Sequence, residues 1–194
     1  MQDFWFYIEL GLKHVLDINA YDHILFLATL AIPFSFKQWK QVVILATIFT
    51  IAHCLSLAFS VYDIVKVDVG LIEFLIPVTI ALTAGFNLFR LAKEERSTGI
   101  YFHGLATAFF GLIHGFGFSN YFNMLMAEET HKIGPLLGFA AGIELSQVTV
   151  ILLALVVAYL LVGILKLDRK WYIGVTSILV LLVTIPMMID TFPN

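Results

Sequence analysis

Apolar residues run along this chain in blocks rather than in alternation. Five blocks, at about 41–62, 70–90, 100–120, 134–163 and 171–190, each hold some 20 or more residues with few polar interruptions. As a group they exceed the length of a buried helix in a soluble protein, and each meets the roughly 20 residues that a bilayer span requires. Block 134–163 is longer than a span needs, so tilt or extension beyond the bilayer is expected. The first segment, 4–35, differs. One straight helix of that length would be roughly 48 Å long, against a hydrocarbon core of about 30 Å. Its middle runs Asp17-Ile18-Asn19-Ala20-Tyr21-Asp22-His23, and Asp and Asn are weak helix formers and good caps. A break or a strong tilt near 17–22 is therefore expected, of the kind that lines a buried or wet site at membrane depth. Pro33 ends this segment, and Pro77 and Pro186 are placed to bend the third and sixth spans. The expected fold is all-α: a polytopic transmembrane helix bundle of about six spans. Its first segment is broken or strongly tilted, and residues 1–194 form a single transmembrane domain.

Composition agrees. Of 194 residues, 60% are apolar and only 13% charged, with a mean hydropathy of +0.95. A water-soluble fold of this size could not hide so much apolar surface. This argues against a disordered chain, a nucleic-acid binder and an ordinary soluble enzyme. The net charge of −3 is spread without a polybasic cluster. Cys54 is the only cysteine, which excludes an internal disulfide and a CxxC metal site and leaves it as a small packed hydrophobe. The start, Met-Gln-Asp-Phe-Trp, has no basic stretch, so no cleavable leader is expected.

The basic residues suggest an orientation. Lys37 and Lys40, then Arg90, Lys93 and Arg96, then Lys166, Arg169 and Lys170 fall in alternating loops, whereas the opposite loops hold only Lys66 and Lys132. The positive-inside rule makes the richer loops cytoplasmic and both termini extracytoplasmic, in a multi-pass protein of the cell's inner membrane. Asp63, Asp68, Glu128 and Glu129 then lie outside. Trp5, Trp39, Trp171 and Tyr172 suit the membrane interfaces. The many phenylalanines are read as packing and lipid-facing residues.

Ionisable side chains within spans are costly and count as functional candidates by default. Counting about 1.5 Å per residue from the span ends places His14 and Glu144 roughly 15 Å below the outer face, His53 roughly 13 Å and His114 roughly 9 Å. Asp22 and His23 fall at about 12–18 Å. Residues from distant stretches thus share one slab in the outer half of the bilayer. Neutral imidazole is a strong ligand for zinc, nickel, copper and iron(II), and carboxylate balances charge. With no thiolate cluster, a soft copper site is disfavoured. The candidate metal ligands are therefore His14, Asp22, His23, His53, His114 and Glu144. Asp17, Ser56 and Gln147 are candidates to orient them, because each lies three residues from a ligand on a shared helix face. Glu73, near the outer end of its span, suits solvation and a site role equally. One such histidine is usually an interhelical hydrogen bonder, but four at one depth favour a metal or proton site. The run His114-Gly115-Phe116-Gly117-Phe118-Ser119 adds glycines that permit close backbone approach or a helix end. On the inner side only Thr83, Asn87, His103 and Thr107 offer polar groups along a path.

Together these segments resemble the HupE/UreJ family of small membrane proteins. The resemblance rests on Gly11-Leu12-Lys13-His14 with Asp22-His23-Ile24-Leu25-Phe26, and on Phe49-Thr50-Ile51-Ala52-His53-Cys54-Leu55-Ser56-Leu57. It continues through Glu73 to Asn87, Phe110-Gly111-Leu112-Ile113-His114-Gly115-Phe116-Gly117-Phe118 and Gly142-Ile143-Glu144-Leu145-Ser146-Gln147. Cys54, Ser56 and Ser146 depart from the more usual Ser, Thr and Gly. The resemblance implies a nickel, or nickel and cobalt, permease associated with hydrogenase or urease maturation. The same residues leave a second class open: an intramembrane zinc-dependent hydrolase in which histidines hold the ion and a carboxylate acts as general base. A metal-binding structural or sensory protein is a third. The expected partners are a divalent transition-metal ion (nickel, zinc or cobalt) and the lipid bilayer, with no nucleic acid. The residues do not specify an oligomeric state.

Overall fold

The computed structural model describes residues 4–93, 100–127 and 129–193. Arg96 and Glu128, counted above among the loop charges, lie outside the described residues. The protein is 84% helical, without strands among the described residues. The helices are α1 (Phe4–Leu16), α2 (Asp22–Ala31), α3 (Trp39–Val61), α4 (Val69–Ala92), α5 (Ile100–Met126), α6 (Ile133–Ala158) and α7 (Arg169–Asp190). A 3-10 turn, Phe36–Gln38, leads into α3, and a π-helical turn, Tyr159–Ile164, extends α6. Among the described residues, four stretches are long and apolar enough to cross a membrane: Phe36–Val61, Val69–Ala92, Ile133–Ile164 and Arg169–Asp190. α5 is of similar length but carries two histidines and two asparagines in a sequence rich in Gly and Phe.

Local chemistry explains the helix ends. Residues 17–21 are not helical; Asp17 accepts a hydrogen bond from the Asn19 backbone N–H at 2.8 Å, which closes a turn at the expense of the helix. Asp68 caps α4 by accepting from the Leu71 N–H at 2.8 Å, and Asp168 caps α7 by accepting from the Lys170 N–H at 2.7 Å. α4 and α7 run through Pro77 and Pro186 as helices.

The main packed pairs are α3 with α5, α1 with α6 and α4 with α7. α2, about 15 Å long by its residue count, sits among the longer helices and packs chiefly on α4 and α6. Glycines permit the closest approaches. A Cβ on Gly115 of α5 would strike Ser56 Oγ and the His53 carbonyl of α3, and one on Gly142 of α6 would strike the Ile8 carbonyl of α1. The run after His114 therefore serves close packing, and α5 continues through it as helix.

Large apolar side chains cover the outside: Leu82 is 58% exposed, Leu153 61% and Leu182 59%. Such a surface is stable only against another apolar phase, so the chain is a membrane protein. Trp5, Trp39 and Trp171 are exposed, as interfacial residues should be. Tyr172 is not. It follows Trp171 on a helix, so it turns about 100° away and is buried.

Candidate metal centre

Four helices bring histidines to one place. His14 comes from the last turn of α1, His23 from the first turn of α2, His53 from the middle of α3 and His114 from the middle of α5. His23 is central: its ring centroid lies 4.5 Å from His14, 5.5 Å from His53 and 5.3 Å from His114. His14 and His53 are 5.5 Å apart. One ring nitrogen from each of His14, His23 and His53 lies within 4.8 Å of the others. His23, His53 and His114 are buried and His14 is half-buried. The non-helical stretch after α1 lets two of these histidines meet although only nine positions separate them in sequence.

Hydrogen bonds assign the protons. His23 Nδ1 lies 3.2 Å from Asp22 Oδ1, and His114 Nδ1 lies 2.9 Å from the Phe110 carbonyl. Both partners are acceptors, so each Nδ1 carries the proton and each Nε2 presents a lone pair. Those two Nε2 atoms, His14 Nε2 and both nitrogens of His53 are buried without a protein partner. Leaving one polar atom buried and unpaired costs about 1–3 kcal/mol, and here five gather in one place. A cation that accepts one lone pair from each ring removes much of that cost. Metal–imidazole bonds of about 2.0–2.1 Å put the nitrogens around one ion at most about 4.2 Å apart, so small ring rotations suffice to close the trio.

The histidines form part of a cavity of about 430 Å³, lined by His14, Asp22, His23 and His114, with Asp17 and Glu73 among the other lining residues. Asp17 and Glu73 are exposed. Lys13 also lines the cavity and pairs with Glu9 at 2.6 Å. His53 closes the group from the protein side at 0% exposure. The frame is aromatic: Phe118 lies 4.0 Å from His14, and Phe49 lies 5.2 Å from His114.

The remaining candidates are placed as follows. Asp22 contacts the ion's candidate ligands through His23 and does not belong to the nitrogen trio. Glu144 accepts from Thr47 Oγ1 and Thr50 Oγ1, each at 2.6 Å, one to two turns along α3 from His53. Gln147 meets the same Thr50 hydroxyl at 3.2 Å and leaves its Nε2 unpartnered. Ser56 donates to the His53 carbonyl at 2.8 Å rather than to a ring. Asn87 donates to the Thr29 carbonyl at 3.1 Å, tying α4 to α2. His103 lies with its Nε2 3.2 Å from Arg90 Nη1. Sequence reasoning missed Thr47 and Thr50 as partners of Glu144, although they lie three residues apart on one face of α3. It also missed the phenylalanines around the rings, which no spacing distinguishes from the lipid-facing ones.

A helical membrane protein with a buried polyhistidine group is thus defined. The model of the HupE / UreJ proteins matches residues 1–191, and the chain belongs to the HupE/UreJ family. That family is associated with nickel and cobalt transport. Comparisons with curated proteins and with solved structures gave no match.

Proposed function

We propose that this protein is a permease for a divalent transition-metal ion, nickel foremost, in the inner membrane. α1 and α2 together make one crossing and α3 to α7 five more, in a single domain with both termini extracytoplasmic. The ion enters the histidine-lined cavity past Asp17 and Glu73, and His14, His23, His53 and His114 replace its water ligands. Asp22 holds the His23 ring in the tautomer that offers Nε2 to the ion. Glu144 stands one turn deeper with its two threonines. The observation that carries this reading is the gathering of unpartnered imidazole nitrogens from four helices at one open cavity. Imidazole donors suit nickel, cobalt and zinc and not magnesium or calcium.

Proteoliposomes holding the purified protein test it. Nickel should accumulate in them and not in empty vesicles, and His53→Ala should abolish accumulation. A second reading, a zinc-dependent intramembrane hydrolase, draws support from the phenylalanines packed against the histidine rings. Bound metal without accumulation, together with cleavage of a lipid or peptide, would replace the permease reading with this one.

A further inference from the structure

We propose that Phe26 is the gate of the ion path: its ring, packed on His114, separates the histidine-lined cavity from a second cavity among α2, α4 and α5. The inference rests on the permease reading for its role in transport. The partition itself is measurable without transport.

The second cavity has a volume of about 220 Å³ and lies among α2, α4 and α5, where Thr83, His103 and Thr107 supply its polar groups. Phe26 lines it, and the same ring lies 5.3 Å from His114, which lines the outer cavity. The Phe26 ring, packed against His114, therefore stands between the two spaces: Phe26 faces the second cavity and His114 the outer one. Phe26 has 0% exposure, stacks on Phe49 at 4.9 Å and meets Phe110 edge-on at 6.2 Å. A hydrated or partly hydrated ion cannot pass such a layer unless a ring turns aside.

Position along the chain links the gate to the ligands. Phe26 follows His23 by three residues, one turn of the same short helix α2. A shift of the α2 backbone at His23 would carry Phe26 with it. The chemistry of the two cavities also differs in the direction transport needs. His103 Nε2 faces the Arg90 guanidinium, which only donates, so that nitrogen acts as acceptor and is spoken for. The inner cavity then presents threonine hydroxyls and a nearby cation where the outer one presents imidazole lone pairs. An ion that passes Phe26 leaves strong ligands for weak ones, and the inner space works as an exit chamber rather than a second binding site.

Thiol labelling tests the partition. In proteoliposomes of a Cys54→Ser, Thr107→Cys protein, a small charged thiol reagent is added on the side that opens to the histidine cavity. Labelling should be slow with Phe26 in place and at least tenfold faster after Phe26→Ala, with Phe26→Leu as the milder variant if alanine prevents folding. Separately, Phe26→Trp should slow nickel flux at least tenfold while the nickel bound per protein stays the same. Equal labelling rates with and without the Phe26 substitution, or undiminished flux through Phe26→Trp, would overturn the gate. Absence of nickel flux in the unaltered protein would instead sink the permease reading and leave the labelling result to stand alone.

Discussion

At the scale of single residues, the position of one proton decides what a buried histidine is able to bind. His23 donates a hydrogen bond from Nδ1–H to Asp22 and His114 donates one to the Phe110 carbonyl, and both keep Nε2 free. A charged acceptor also makes the ring a stronger electron donor, which a carbonyl does less well. Asp22→Asn keeps an acceptor but removes the charge. It should weaken nickel binding by about 10–100-fold, the usual cost of losing such a partner, whereas His23→Ala should abolish it; equilibrium dialysis of purified protein reads both. Glu144 provides the contrast. Its oxygens are engaged by Thr47 and Thr50, outside the nitrogen trio. Glu144→Gln should therefore leave the nickel stoichiometry unchanged, and a loss of bound nickel in that variant would move Glu144 back among the ligands.

At the scale of elements, helix ends and helix contacts bring the histidines together. α3 and α5 carry His53 and His114, and Gly115 sets how closely they cross, since a Cβ there would collide with Ser56 Oγ and the His53 carbonyl. Gly115→Ala should cost about 1–3 kcal/mol through overpacking. It should also weaken nickel binding, because the two helices must part at the level of the site. Thermal unfolding in detergent and nickel titration check the two effects. Much of this level was legible in the sequence. The long apolar blocks mark α3 to α7 to within a few residues, except that α5 runs six residues past its block to Met126, and Asp17 and Asn19 mark a stretch that favours a turn over a helix. The four imidazoles, which residue counting placed in one slab, lie together in the fold. What could not be read was which neighbour each face meets. Helical spacing places Glu144 and Gln147 on one side of α6, but only packing supplies Thr47 and Thr50 across from them. Likewise, spacing does not distinguish Tyr172, which is buried, from Trp171, which is exposed.

At the scale of the whole molecule, stability and cargo are linked. The bundle buries Nε2 of His14, His23 and His114 and both nitrogens of His53 without protein partners, a cost that the apolar core must offset. The same lone pairs are what a transition-metal ion seeks; on the permease reading the ion binds the folded protein alone, because the unfolded chain holds no such group together. Mass action then stabilises the fold by RT ln(1 + [L]/Kd), about 2.7 kcal/mol when the free ion is at 100 times its Kd. Nickel, cobalt or zinc should each raise the unfolding temperature of the detergent-solubilised protein, and a chelator should reverse the rise. Magnesium should not, because it prefers oxygen ligands in octahedral array and keeps much of its water. His53→Ala removes two of the unpartnered nitrogens at once. The variant should lose the metal-dependent shift, even if replacing a fully buried ring also lowers the metal-free unfolding temperature. A shift of equal size in that variant would place the ion somewhere other than among these four rings.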